Sequence, residues 1–166
     1  MLRPEDRDQV RAVLALASTR ERYAARVSPV AMSSGCRPWM GAVGGNGHGR
    51  FWLCTTPDGR DLVMTAHRAS YALEHGLDSI ESADLVRHSC DEPICQTPGH
   101  LLLGSIGQNW VEWLAREGVP GSPLRDRRGP LGRAVALRDA ARLGADLDAV
   151  ALAGLPMTDR FQDSLF

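Results

Sequence analysis

Three potential metal ligands stand at regular intervals within one short loop of the 166-residue chain. Cys90, Cys95 and His100 form a C-x4-C-x4-H pattern, and two prolines lie between them. Thiolate and imidazole ligands at this spacing suit a tetrahedral Zn²⁺ ion. A structural zinc site normally has a fourth ligand, and the two remaining cysteines, Cys36 and Cys54, are the candidates. The pattern therefore predicts a loop that is closed by zinc.

The composition agrees with a small domain that needs such a metal. Apolar residues make up 43% of the chain and aromatic residues only 5%, while glycine is abundant. A small, loop-rich fold of this kind often relies on a metal or a disulfide. The charged N-terminal residues resemble no signal segment, and no apolar stretch reaches the length of a membrane span. We therefore expect a cytoplasmic protein whose cysteines are metal ligands or buried thiols.

The overall charge does not point to a nucleic-acid ligand. The net charge is −1, whereas nucleic-acid-binding domains are usually basic. All 19 basic residues are arginines. The most basic stretch contains Arg125, Arg127, Arg128 and Arg133. This stretch could follow a phosphate backbone or form a solvated linker, and the sequence leaves both interpretations open.

Sequence patterns predict an α+β fold in which two short strands, 84–88 and 100–103, enclose the zinc loop. Ser105 and Gln108 form a capping-box pattern that predicts the start of the next helix. A glycine-rich turn predicts a β-hairpin further upstream. The remaining predicted elements are helices at 4–17, 19–27, 66–74, 131–143 and 147–155 and strands at 39–43, 50–54 and 61–64. The predicted segments are an N-terminal helical segment (1–30), a central domain (31–118) and an Arg-rich linker with a helical tail (119–166).

The central segment resembles a known family. The residues from His88 to Asn109 match the pattern H-x-C-D-x-P-x-C-x-x-P-x-H-L-x-x-G-[ST]-x-x-x-N of small HNH endonucleases from phages and introns. These are zinc-containing homing-type members of the His-Me finger superfamily. The upstream motifs C-R-P-W-M-G-A, G-H-G-R-F and A-H-R are similar to family motifs in the same order. The sequence departs from the family at Arg37, where relatives have Trp, and at His48, where they have Tyr.

The resemblance implies a ββα-metal core with one structural zinc ion. By this analogy the β-hairpin region precedes the core, and helices flank it on both sides. His88 would lie on the first strand of the core, and Asn109 would lie in the first turns of its helix. Cys36 would be the fourth zinc ligand beside Cys90, Cys95 and His100, and Cys54 would remain a buried strand thiol.

The implied activity is metal-dependent hydrolysis of DNA to 5′-phosphate and 3′-hydroxyl ends. A neutral imidazole can accept a proton from water at neutral pH, which is the role expected for His88. Asn109 would be a ligand of a catalytic Mg²⁺ or another hard divalent cation, which takes oxygen ligands and stabilises the leaving oxygen. Arg50 is the predicted contact to the scissile phosphate, with Arg87 as the alternate. The competing hypothesis is a non-catalytic zinc module that binds DNA.

Several other residues receive ordinary interpretations. His67 and His75 are expected to be packing or surface histidines, and Trp110 and Trp113 are expected to pack in the core. A homodimer is implied by the homing-type relatives, and a monomer that nicks one strand is equally allowed. The last residues resemble a Q-x-x-L-F peptide that binds bacterial sliding clamps, and its three anchoring residues are Gln162, Leu165 and Phe166.

Overall fold

The computed structural model describes residues 3–160, in which short α-helices and β-strands form a mixed α+β fold, as predicted. The predicted clamp-binding residues lie outside the described part. In chain order the elements are α1 (Arg7–Ala15), α2 (Ala17–Ala24), β1 (Ala42–Val43), β2 (Gly49–Thr55), β3 (Asp61–Thr65), α3 (Ala66–His75), α4 (Leu77–Glu81), β4 (Leu85–His88), β5 (Leu101–Gly104), α5 (Ile106–Arg116), α6 (Gly129–Leu143), α7 (Leu147–Gly154) and α8 (Met157–Arg160).

The first sheet is an antiparallel meander in the order β1-β2-β3. Along β2 the side chains alternate, so that Phe51 and Leu53 are buried while Arg50 is exposed. The buried face packs on an aromatic cluster in which Trp39 and Tyr23 lie 5.8 and 5.5 Å from Phe51, measured between ring centroids. This sheet with its aromatic cluster forms the centre of the apolar core.

The turn between β1 and β2 touches the start of α6. Gly47 has a φ of +84°, and a Cβ atom at this position would lie 2.6 Å from the carbonyl oxygen of Pro130. Glycine alone satisfies both the positive φ and the close approach without strain. The contact holds this turn, which also carries His48, against the C-terminal helices.

The second sheet consists of β4 and β5, which pair in antiparallel fashion and are followed directly by α5. The long connection between these two strands is the predicted zinc loop. The hydroxyl of Ser105 accepts a hydrogen bond from the amide of Gln108, and the Gln108 side chain accepts one from the Ser105 amide. The predicted capping box is therefore present, and it defines where α5 begins beside the sheet.

Helix α5 contacts the protein through charged side chains. Glu112 forms an ion pair with Arg87 at 2.6 Å, and Arg116 forms one with Asp91 at 2.9 Å. Every residue of α5 is described, and none of them is buried. The expectation that Trp110 and Trp113 pack in the core is wrong, since 57% of the Trp110 surface is exposed and Trp113 is only half-buried. The apolar residues of an amphipathic pattern can face solvent when the polar face has partners inside the protein.

The C-terminal helices share the core of the central segment. The side chains of α6 and α7 that join the same buried cluster as the first sheet are Ala134, Leu137, Ala140, Leu147 and Ala151. The predicted Arg-rich linker is largely engaged in ion pairs, because Arg125 contacts Asp159 at 2.6 Å and Arg128 contacts Asp126 at 2.6 Å. These arginines therefore stabilise contacts within the C-terminal segment and do not form a free basic stretch.

A buried ion pair connects the predicted zinc loop with α6. Arg133 contacts Glu92 at 2.7 Å and Asp126 at 3.0 Å, and its side chain is only 5% exposed. Burial raises the pKa of Glu92 to about 6, although the Arg133 guanidinium acts in the opposite direction. Opposite charges at this depth are tolerated because each has a partner. The loop and the C-terminal helices are thus coupled electrostatically as well as by packing.

None of the helices within residues 3–160 has both the length and the apolar character that a bilayer crossing requires.

Replacing Arg133 should destabilise the protein strongly. Arg133→Met removes the partner of two buried carboxylates, and we expect the free energy of unfolding to fall by about 3–5 kcal/mol. Arg138→Met is the matched control, because its partner Asp139 is half exposed and such pairs contribute at most about 1 kcal/mol. Urea titrations of both variants measure the difference. Equal losses would show that the buried network does not hold the C-terminal helices.

Candidate metal centre and histidine pocket

Cys36, Cys90, Cys95 and His100 converge on one point. One ligand atom from each side chain lies within 4.8 Å of all the others. The His100 Nδ1 atom is 3.5 Å from the Sγ atoms of both Cys36 and Cys95. A set of three thiolates and one imidazole at these distances is compatible with a tetrahedrally bound metal such as zinc. The structure thus brings together the four residues predicted as zinc ligands.

Cys36 reaches the loop because the segment after it pairs with the loop backbone. The Trp39 amide donates a hydrogen bond to the Ile94 carbonyl at 2.9 Å, and the Gln96 amide donates to the Arg37 carbonyl at 2.9 Å. These bonds join the segment around Cys36, which precedes the first sheet, to the loop around Cys95. The two segments are more than about fifty residues apart in the sequence. The fourth ligand is therefore supplied by a long-range backbone contact.

The crowded thiols require a cation before they can all ionise. The Cys36 and Cys90 thiols donate hydrogen bonds to Cys95, and these bonds hold the pKa of Cys95 far below the usual thiol range. The pKa of Cys90 is instead raised by its hydrogen bonds to Cys36 and Cys95. Three thiolates at this distance repel one another, and a divalent cation is what offsets the repulsion. The donor set therefore fits a metal better than it fits three free thiols.

Cys54, the other candidate for the fourth ligand, lies on β2 away from this cluster. Its sulfur accepts a hydrogen bond from the Gln9 side chain at 3.4 Å. It is half-buried rather than fully buried. Cys54 therefore offers a control residue, a thiol of the same chain that has no part in the metal cluster.

His88 lies at the end of β4, next to the metal cluster and beside a cavity of about 650 Å³. Its Nε2 atom is 3.1 Å from the backbone carbonyl oxygen of Cys95. A carbonyl oxygen can only accept a hydrogen bond, so Nε2 carries the proton and Nδ1 of the neutral ring carries the lone pair. Burial lowers the pKa of His88, although the bond to the Cys95 carbonyl acts in the opposite direction. The ring can therefore accept a proton at Nδ1.

Two further histidines, His48 and His67, share this cavity. The ring centroids of His67 and His48 lie 4.9 and 5.6 Å from that of His88, and 4.6 Å from each other. Burial, assisted by the nearby His88, lowers the pKa of His48 to about 4 and that of His67 well below its usual value. The Nδ1 atoms of both rings are buried and have no hydrogen-bond partner within the described part of the chain.

The expectation that His67 is an ordinary packing or surface histidine misses its position in this pocket. Its sequence neighbourhood, A-H-R at the start of α3, was one of the motifs that matched the HNH family in order and spacing. That match was the only signal that could have indicated a site residue. Nothing in its helical position could have done so, because a histidine on a buried helix face has the same pattern in a core without a function.

Asn109, in the first turns of α5, lines the same cavity as His88. Three arginines line it as well: Arg68, Arg87 and Arg133. Arg50 does not belong to this lining; it borders a second surface pocket together with Arg22 and Arg26. The structure therefore brings His88, Asn109 and Arg87 together and leaves Arg50 outside the lining of the cavity.

Comparisons with known proteins give short matches. No protein-family model matches the chain, and no solved structure does. The chain is 34% identical over 77 residues to Protein 2.8 of Escherichia phage T7, which covers 46% of this chain and 48% of that protein. It is also 34% identical over 74 residues to Protein 7.7 of the same phage, with 45% and 51% covered. The chain spans about half the length of these relatives, and their names state no activity.

Replacing a cysteine of the cluster should remove the bound zinc, whereas replacing the cysteine outside it should not. Cys90→Ser should reduce bound zinc from one ion per chain to none, and because a structural zinc ion contributes directly to folding, this variant should unfold at much lower temperature. Cys54→Ser should keep the zinc and melt close to the wild type. Elemental analysis and thermal melting, measured on the same preparations, check both. Zinc loss from Cys54→Ser or full zinc in Cys90→Ser would contradict this assignment.

Proposed function

We propose that this protein is a metal-dependent DNA endonuclease that hydrolyses phosphodiester bonds. The observation that carries the proposal is that His88 and Asn109, which come from β4 and α5, line one cavity beside the metal cluster. These two residues hold the positions that the resemblance to HNH endonucleases assigns to the general base and to the ligand of the catalytic cation. A zinc module without activity would have no need for this pair in one cavity.

In the proposed reaction, Nδ1 of His88 takes a proton from a water molecule. The resulting hydroxide attacks phosphorus in line with the leaving 3′ oxygen, so that one P–O bond forms while the other breaks. The products are a 5′-phosphate and a 3′-hydroxyl end, once the leaving oxygen has taken a proton from a solvent water molecule and His88 has returned its proton to solvent. The backbone carbonyl of Cys95 holds the His88 ring in the tautomer and orientation that this step needs.

Asn109 would hold the catalytic cation through its side-chain oxygen, and the cation would stabilise the charge on the leaving oxygen. Asn109 is a neutral ligand, so that phosphate oxygens and water would complete the coordination shell. Zinc has a separate, structural part in this proposal, because its four protein ligands leave no open position.

The negative charge of the phosphate needs a cationic partner in the cavity. Arg68 and Arg87 line the cavity, whereas Arg50 borders the second pocket. The proposal therefore assigns the phosphate contact to Arg68 and Arg87 rather than to Arg50. Glu112 holds the Arg87 guanidinium at 2.6 Å, and Arg87 and His88 both line the cavity.

Two further partners, a second copy of the chain and a sliding clamp, belong to the same proposal. A second copy of the chain would allow both strands of a near-palindromic site to be cut. The clamp-binding peptide at Gln162, Leu165 and Phe166 would serve to recruit the nuclease to DNA.

Replacing His88, the proposed general base, should abolish most of the DNA cleavage. Wild-type protein with Mg²⁺ should convert supercoiled plasmid to nicked or linear DNA, and His88→Ala should cut at least about 10²-fold more slowly. His75→Ala is the matched control, because His75 is exposed on α3 and lies outside the cavity lining. The rates are followed by gel electrophoresis, and the zinc content is measured alongside. Loss of cutting by His88→Ala with full zinc supports the base; equal rates for all three proteins would rule it out.

The second prediction concerns the phosphate contact. Arg68→Ala and Arg87→Ala should each lower kcat/KM by about 10²-fold, the usual effect of removing one group that stabilises transition-state charge. Arg50→Ala is expected to stay within a few-fold of wild type, because it borders another pocket. Initial rates on one defined substrate, with thermal melts to check folding, give the comparison. A large effect confined to Arg50→Ala would return the phosphate contact to that residue.

A further inference from the structure

Two tryptophans of α5 have no part in the proposed chemistry. Trp110 is 57% exposed, and its indole stacks on that of Trp113 with ring centroids 5.1 Å apart and planes 15° apart. An indole of this size in contact with water is unfavourable for a free protein, and exposed aromatic surface of this kind marks binding sites. The stacked arrangement also fixes the orientation of both rings before any ligand arrives.

The inner member of this pair belongs to the cavity. Trp113 lines the same space as His88 and Asn109, while Pro123 and Leu124 of the C-terminal segment line it as well. The stacked indoles therefore extend from the cavity to the exposed surface of α5. A flat ring that enters the cavity can lie against Trp113 while the atoms attached to it remain beside His88.

The size of the cavity favours one nucleotide over a double helix. Its volume of about 650 Å³ falls within the range of pockets that enclose small ligands, about 300–1,000 Å³. His88 is only 8% exposed, so that a phosphate must enter the cavity to meet it. A strand that has separated from its complement can bend a phosphate inward, whereas a paired strand is held in the regular duplex.

The charges of the lining fit a nucleotide as well. Three arginines and one carboxylate, Asp91, belong to the lining, and Asp91 is paired with Arg116. Because Arg133 is engaged by Glu92 and Asp126, the positive charge offered to a nucleotide comes from Arg68 and Arg87, the proposed phosphate contacts. Cationic groups that follow the backbone, combined with aromatic rings on which bases stack, are the usual means of binding single-stranded nucleic acid. Both parts of this combination are present around one cavity.

The geometry points to a stacking site for an unpaired nucleobase, formed by Trp113 with Trp110 behind it, and hence to single-stranded or locally unpaired DNA as the preferred substrate. The choice of DNA as ligand rests on the proposed nuclease function. A base stacked on Trp113 keeps its flanking phosphates beside the cavity that contains His88. Selection between paired and unpaired DNA would then occur at the two tryptophans, before the phosphate reaches His88.

Binding measurements without added Mg²⁺ test the stacking site apart from cleavage. The probes are a fluorescein-labelled oligodeoxythymidylate, the same strand annealed to its complement, and a strand of equal length that has abasic sites in place of its bases. The proteins are the wild type, Trp113→Ala, the conservative Trp113→Phe, and Trp52→Ala. Trp52 is the matched control, because it is a partly exposed tryptophan on β2 that borders the second pocket.

Wild-type protein should bind the single strand more tightly than the duplex or the abasic strand. Trp113→Ala should weaken binding of the single strand by about tenfold, within the range that stacking of one base contributes, and should leave binding of the abasic strand unchanged. Trp113→Phe should keep most of the affinity, and Trp52→Ala should match the wild type. This pattern requires a base on an aromatic ring and is not produced by a purely structural role.

Three results would overturn the inference: equal affinity of wild type for the abasic and the normal strand, equal affinity of Trp113→Ala and wild type for the single strand, or a dimer that dissociates when Trp110 is replaced while DNA binding is unchanged. The last result would mean that a second copy of the chain covers the indoles. Tryptophan-dependent binding by a protein that cuts no plasmid would remove the nuclease and keep the stacking site. Normal cutting with tryptophan-independent binding would do the reverse.

Discussion

The hydrogen bond between Nε2 of His88 and the carbonyl oxygen of Cys95 connects the two halves of the site. Cys95 belongs to the metal cluster, so the shape that the cluster imposes on its loop also determines how the His88 ring is oriented. The loop turns back sharply at Asp91, whose φ of +55° is uncommon for a residue other than glycine. The Asp91 carboxylate pairs with Arg116 of α5. The arrangement of the Cys/His cluster, the orientation of the His88 ring and the placement of α5 therefore depend on one short loop.

The loop is in turn held from outside by ion pairs that lie at very different depths. Glu92 and Arg133 are almost completely buried, while Arg116, which pairs with Asp91 of the loop, is partly in contact with solvent. A buried pair that loses one partner leaves an uncompensated charge, whereas a surface pair that does so is solvated by water. The attachment of the loop to α6 is for this reason the stronger constraint on its position. Ion pairs of this kind also engage Arg125, Arg128 and Arg133. The basic stretch that contains these arginines therefore offers little free positive charge.

Three imidazoles within 6 Å of one another make the cavity unusual in its charge. Burial disfavours the charged form of each ring, and proton uptake by one disfavours uptake by its neighbours. His48 and His67 therefore leave the cavity polar but uncharged near neutral pH, and the positive charge comes from arginines. In the proposed reaction, a neutral polar wall beside cationic groups would accept a phosphate without competing for the proton that His88 takes up. Asn109 and Trp113 are the contributions of α5 to the lining of this cavity.

Local sequence patterns predict the α+β class, the capping box of α5 and the three metal ligands of the loop. Each of these features depends on residues that are close together in the chain. The sequence could not choose between Cys36 and Cys54 without the family resemblance, since that choice depends on the backbone pairing of Trp39 with Ile94. Nor could it place His48 and His67 beside His88, or turn the apolar face of α5 to solvent. Those features arise from contacts between distant segments, whose energies depend on the packed arrangement of the whole chain rather than on any local pattern.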